Sequence, residues 1–247
     1  GAAYAWGSNV SGQLGDGTTA NRSTPVPVSG LSSGVTAVAA GLGHSLAIRS
    51  GAAYAWGINF YGNLGDGTTA DRVTPVPVSG LSSGVTAVAA RGYHSLAIKG
   101  GAAYAWGNNQ FGQLGDGTTD NRSAPVLVTG LGSGVTAVSA GYSYSLAVKG
   151  GAAYAWGNNE YGQLGDGTTD DRATPVPVAG LGSGVTAVSA SDSLSLAVKD
   201  GALYSWGSSS SGELGREASS EADRITPQRV IGIDGTVVAV AAGSVQG

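Results

Sequence analysis

The residues of this 247-residue sequence that could do chemistry recur at regular intervals. The dipeptides Asn21-Arg22, Asp71-Arg72, Asn121-Arg122 and Asp171-Arg172 have the composition of a ligand clamp. Four copies at even spacing instead predict hydrogen bonding from one repeat to the next. Asp16, Asp66, Asp116 and Asp166 each lie in Gly-Asp-Gly-Thr, where a carboxylate could meet calcium. Calcium asks for six or more oxygens in one place, whereas an isolated Asp between glycines suits a turn. His44 and His94, the two histidines, both precede Ser-Leu-Ala-Ile, but Tyr144 and Leu194 fill the same column later, so an imidazole is not required there. They are read as framework or face residues, and a metal site or a Ser-His-Asp triad lacks members. The glycine-rich stretch 130–134 leaves one apolar run and enters another of strand length, so it fails as a phosphate loop. The expectation is a non-enzymatic protein without metal or cofactor.

The elements that position these residues come from a repeat. Gly-Ala-Ala-Tyr-Ala-Trp-Gly starts at Gly1, Gly51, Gly101 and Gly151 and returns as Gly-Ala-Leu-Tyr-Ser-Trp-Gly at Gly201, a fifty-residue period. The repeats 1–50, 51–100, 101–150, 151–200 and 201–247 fill the chain as one expected domain. The fifth diverges, with Arg216 to Glu221 in place of the Gly-Asp-Gly-Thr-Thr turn, and reads as a terminal repeat. Each period holds four short apolar runs between turn residues, which predicts four strands: A at Val35–Ala40, B at Ser45–Ile48, C at Ala52–Trp56 and D at Thr74–Val78. Four strands per fifty residues is propeller arithmetic. Small side chains suit strand A to the crowded axis, and Pro75 and Pro77 place strand D at an edge, where missing N–H groups are tolerated.

The motifs Tyr-Ala-Trp-Gly, Asn-x-x-Gly-Gln-Leu-Gly-Asp-Gly-Thr, Pro-Val-x-Val, Val-Thr-Ala-Val-x-Ala-Gly and His-Ser-Leu-Ala-Ile together resemble the repeat of the regulator of chromosome condensation family. That resemblance covers nearly the whole chain and implies an all-β propeller of four-stranded antiparallel blades. The family usually has seven blades. This chain runs C, D, then four full sets, then a last A expected at Val237–Ala242, so an incomplete ring or an excised part of a seven-bladed propeller is expected. The sequence has no methionine, so Gly1 is read as the start of a processed, excised or engineered chain. The family's members include a nuclear exchange factor for a small GTPase, chromatin-associated and ubiquitin-ligase-linked propellers, and bacterial propellers that inhibit β-lactamases through one face. The exchange factor's wedge insertion has no counterpart here, and all five tryptophans belong to strand C, unlike the clustered surface tryptophans of the light-sensing plant branch.

Copies of the repeat can be compared with one another. Repeats one and two differ in eleven columns, and six of these pairs, from Ser8/Ile58, Val10/Phe60 and Ser11/Tyr61 to Gly41/Arg91, Leu42/Gly92 and Gly43/Tyr93, fall in two loops. In an antiparallel meander the A-to-B and C-to-D loops leave on the same side. Of seventeen aromatic residues, ten are the Tyr and Trp of strand C. The other seven all lie in these two loops or at the first strand residue after one. Aromatic anchors on rigid loops are what protein-binding surfaces select. The candidate partner-binding residues are therefore Val10, Phe60, Tyr61, Arg91, Tyr93, Gln110, Phe111, Tyr142, Tyr144, Glu160, Tyr161 and Asp192.

Charge narrows the partner. Net charge is −4 and the twelve Lys and Arg are scattered, so no nucleic-acid footprint is expected. No apolar stretch approaches the ~20 residues a membrane helix needs, so the segment is expected to be soluble and not to engage a membrane. Without cysteine the redox compartment stays open, and the compartment is unassigned beyond the secreted or cell-surface bacterial setting that the resemblance suggests. The expected role is binding another protein. Its alternatives are a self-assembling architectural repeat, with homo-oligomers joined through open blade edges, and an exchange factor, which a nucleotide-release assay would reveal.

Overall fold

The computed structural model describes residues 1–208, 212–216, 220 and 222–243, whose regular structure is almost wholly antiparallel sheet joined by turns and loops. The first sheet pairs β1 (Tyr4–Gly7) with β2 (Arg22–Pro27). The second orders β3 (Val35–Ala40), β4 (His44–Arg49), β5 (Ala52–Gly57) and β6 (Arg72–Pro77) as they occur in the chain. The same meander returns as β7 (Val85–Arg91), β8 (His94–Lys99), β9 (Ala102–Gly107) and β10 (Arg122–Leu127), then as β11 (Val135–Ala140), β12 (Tyr144–Lys149), β13 (Ala152–Gly157) and β14 (Arg172–Pro177). The last sheet holds β15 (Val185–Ala190), β16 (Leu194–Lys199), β17 (Ala202–Gly207) and the two-residue β18 (Gln228–Arg229), with α1 (Ala222–Ile225) just before β18. These are propeller blades. Strand A of each full blade touches strand A of the next, which places the Val-Thr-Ala-Val runs innermost, while D pairs only with C and forms the outer edge. Strand D begins two residues earlier than the proline pattern predicts and ends at Pro77, leaving Val78 to donate its N–H to Ala53.

Apolar clusters lie between successive blades. Leu46, Ile48, Ala53, Ala55, Leu64, Val78, Leu81, Val85, Ala97 and Trp106 form one of them, joining the second blade to the third. Alternation of side chains along each strand creates two inner faces that interdigitate. Glycine permits the closest approach. Gly112 has φ +79, and a Cβ there would stand 2.5 Å from the Ala173 Cα of the next blade, so no other residue fits.

Two expectations are corrected here. No strand is formed at Val237–Ala242. The segment does run where strand A of a further blade would lie: Val237 donates its N–H to Gly201, as Val185 does to Gly151, and Ala242 donates to Ser189 Oγ, as Ala190 does to Ser139 Oγ. A ladder needs a hydrogen-bonded neighbour, and among the described residues no strand B stands beside this segment. Second, the recurring arginines do not bond from blade to blade. Arg22, Arg72, Arg122 and Arg172, each the first residue of its strand D, pair with Asp16, Asp66, Asp116 and Asp166 of the C-to-D loop just before it at 2.7–2.8 Å, because each aspartate precedes its arginine by only six residues. Of the divergent stretch Arg216 to Glu221, residues 217–219 and 221 lie outside the described residues.

Candidate protein-binding face

The ladder registers fix which loops share a side. His44 pairs with Gly57 while Ala40 pairs with Ser45, so the loop after β3 and the loop after β5 leave the blade at one end. The same registers recur in the third and fourth blades.

Each of the first four C-to-D loops is built around a buried asparagine. Asn109 accepts from the Leu114 N–H through Oδ1, donates Nδ2 to the Thr118 carbonyl, and donates its own N–H to Asn121 Oδ1. Asp116 closes the turn by accepting from both the N–H and the hydroxyl of Thr118, and Arg122 covers its second oxygen. In the first copy, the hydrogen bond from the Thr18 hydroxyl leads the causes that hold the Asp16 carboxyl at about 2. For Asp66, Asp116 and Asp166, burial pushes the carboxyl up, but the Thr and Arg hydrogen bonds outweigh it and keep each below the usual carboxylate range. These aspartates are turn formers, and among the described residues no three His, Cys, Asp or Glu side chains gather as metal ligands.

The loop tip carries the aromatic ring and is clamped from below. Gln113 accepts the Phe111 N–H and reaches across to Asn108, and Gln163 does the same for Tyr161 and Asn158. Phe111 and Tyr161 therefore sit on rigid backbone while their rings stay 36% and 47% exposed. Repeat two differs. Asn63 is one methylene shorter, donates to the Ile58 carbonyl instead, and leaves its buried Oδ1 without a partner. Rings hold that tip: Phe60 stacks edge-on against Tyr61 at 4.8 Å, and Tyr61 lies 5.4 Å from Tyr93 of the neighbouring A-to-B loop.

The A-to-B loops meet one another around the axis. Leu42 donates its N–H to the Gly92 carbonyl and Tyr142 donates to Ser191, so each loop rests on the next. Gly92 must be glycine, since its φ is +53 and a Cβ would collide with the Tyr142 carbonyl. Arg91 reaches over the intervening blade to Asp192 at 3.0 Å.

Eleven of the twelve candidate residues are exposed or half-buried on this side, including Val10 and Phe60 at 71% and 70% exposure. Tyr144 is the exception and is corrected: it is fully buried, its hydroxyl donates to the Leu194 carbonyl at 2.6 Å, and Ser195 Oγ stands 2.9 Å away. It occupies the column of His44 and His94, whose Nε2 atoms meet Ser95 and Ser145 at 2.9 and 3.0 Å. Each of these serines gives its hydroxyl proton to a loop carbonyl of the previous blade, Asn63 or Gln113, so the histidine must hold its proton on Nε2. The shared column and the following Ser-Leu-Ala were the signal that residue 144 is a framework position. Sequence reasoning also missed the buried asparagines Asn9, Asn59, Asn109 and Asn159 as the centres of the loops.

Comparisons agree with this architecture. Human WBSCR16 is similar over 96% of this chain and 64% of its own, with 27% identity and a TM-score of 0.81. Yeast RCC1 (Prp20), in its structure with Kap60 bound, is similar over 96% of this chain and 60% of its own, with 23% identity and a TM-score of 0.80. Prp20p from Saccharomyces cerevisiae, in a structure described together with its binding properties to Gsp1p and histones, is similar over 96% of this chain and 61% of its own, with 24% identity and a TM-score of 0.79. The chain thus spans somewhat less than two thirds of each of these proteins, and no curated protein sequence matches it. A family model for the RCC1-like domain matches residues 1–246, covering every blade described above, and the chain belongs to that family.

Proposed function

We propose that this chain is a protein-binding module and that its working surface is the face built by the A-to-B and C-to-D loops. The reading rests on one contrast. The framework rings Trp56, Trp106, Trp156 and Trp206 are buried between blades, whereas Val10, Phe60, Phe111, Tyr142 and Tyr161 are exposed on one side. Exposed rings on clamped loops cover much area at little entropic cost, which suits a partner-binding surface. The opposite side carries recurring Gly-Leu turns, tied to the sheet through Lys99, Lys149 and Lys199 donating to the carbonyls of Gly80, Gly130 and Gly180. That side supports the blades and has no comparable rings.

The test replaces Phe60, Tyr61, Phe111 and Tyr161 together with Ser. A variant that melts within a few degrees of the parent but no longer captures the protein the parent captures supports the reading. Unfolding of the variant, or capture equal to the parent's, overturns it.

A second reading, self-association, is favoured by one observation. Among the described residues strand β1 pairs with β2 alone, and its Tyr4 and Trp6 are 60% and 62% exposed beside a hollow of about 380 Å³. Mass measured against concentration tests it.

A further inference from the structure

On the aromatic face, the loops of three successive blades enclose a hollow of about 240 Å³. The third blade supplies Phe111, the fourth supplies Tyr142, Asn158, Glu160 and Tyr161, and the fifth supplies Asp192. Its walls are three rings, and its lining side chains include two carboxylates and no cation. Drug-sized molecules fill pockets of roughly 300–1,000 Å³, so this space suits one side chain better than a free ligand.

We infer that this hollow receives an arginine side chain from an extended segment of a protein partner. The inference rests on the binding-face reading above and adds the partner's chemistry to it. A guanidinium is planar, stacks on aromatic faces, sheds water more readily than an ammonium, and matches carboxylates through its fork of donors. Here the rings and acids come together. Glu160 is exposed and makes no salt bridge among the described residues. Asp192 is half-exposed, and its bridge from Arg91 anchors it at the hollow's edge. The site is also preorganised: the Tyr161 N–H is fixed by Gln163, the Asn158 N–H donates to the Ser143 carbonyl, and the Tyr142 N–H donates to the Ser191 carbonyl. A neutral apolar side chain would gain the rings but would also desolvate the Glu160 carboxylate, which unlike Asp192 has no arginine beside it, without compensation.

The experiment titrates the intact chain, labelled for NMR, with three blocked pentapeptides, Ser-Gly-X-Gly-Ser, where X is arginine, citrulline or leucine. The arginine peptide is expected to shift the amides of Tyr142, Glu160, Tyr161 and Asp192 saturably and more weakly as salt rises. Citrulline, with the same shape and no charge, is expected to bind at least about fivefold more weakly, and Glu160→Gln to weaken the arginine peptide about threefold. Equal binding of citrulline, preference for leucine, or no shift at these amides with arginine overturns the inference. A leucine preference at the same amides would leave the face intact while refuting the cation. The serine variant above reads the face separately, so failure of either claim is distinguishable.

Discussion

Trp106 donates its indole Nε1–H to the carbonyl of Asn63, 2.9 Å away and one blade earlier. The contact repeats from Trp56 to Gln13, from Trp156 to Gln113 and from Trp206 to Gln163. The same carbonyls accept a serine hydroxyl, so a single loop oxygen ties two strands of the next blade. Trp6 has the same local sequence but is 62% exposed. Trp156→Phe is therefore expected to cost about 1–3 kcal/mol, from the lost hydrogen bond and the gap left by the smaller ring. Trp6→Phe should stay within about 0.5 kcal/mol of the parent. Chemical denaturation of both variants checks the contrast, and equal losses would show that the indole acts within its own blade.

Glycine at the blade contact gives a second pair. Gly112 and Gly130 have similar dihedrals, φ +79 and +75, but a Cβ meets the Ala173 backbone at the first and nothing within 4 Å at the second. Gly130→Ala should cost about 1 kcal/mol, the penalty of a left-handed alanine. Gly112→Ala adds a steric clash between blades and should cost roughly 3 kcal/mol or more. Thermal melts of the two proteins compare strain alone with strain plus collision.

The buried histidines predict acid sensitivity. Burial lowers His44 to about 4 and His94 to about 3 from an ordinary 6.5. Between those values the unfolded chain takes up protons that the folded chain refuses, so stability is complete above pH 6.5 and falls as pH drops toward 4 and then 3. The loss should reach a few kcal/mol by pH 4 on the order set by that linkage. His94→Gln keeps a donor but cannot titrate, so it should be less stable at pH 7 and show a shallower decline from pH 6.5 to 4. An unchanged slope would assign the acid sensitivity elsewhere.

Much of the fold was legible because its signals are periodic. Strand number, strand order and the inner place of the Val-Thr-Ala-Val runs follow from apolar runs, turn residues and side-chain size, all local properties. What escaped was set by partners. Arg122 looks identical whether it bonds to its own loop or to the next blade, and only the closed loop brings Asp116 under it. Tyr144 begins a strand just after a variable loop, so chain position suggested the surface, but its side chain points at Ser195. Val237–Ala242 carries strand A residues, yet a strand is defined by what lies beside it.

The departure in repeat two yields the last prediction. Gln13, Gln113 and Gln163 each accept a loop-tip N–H, from Ser11, Phe111 and Tyr161, at 2.9 Å. Asn63 falls one methylene short, and its buried Oδ1 finds no partner. An unpaired buried acceptor costs about 1–3 kcal/mol, and longer reach would let it accept the Tyr61 N–H as its counterparts do. Asn63→Gln is therefore expected to stabilise the chain by about 1 kcal/mol and to slow hydrogen exchange at the Tyr61 amide. The Phe60, Tyr61 and Tyr93 rings would then be held by backbone as well as by one another, as Phe111 and Tyr161 already are. A destabilised variant would mean that the Ile58 carbonyl depends on Asn63 more than the loop tip gains from glutamine.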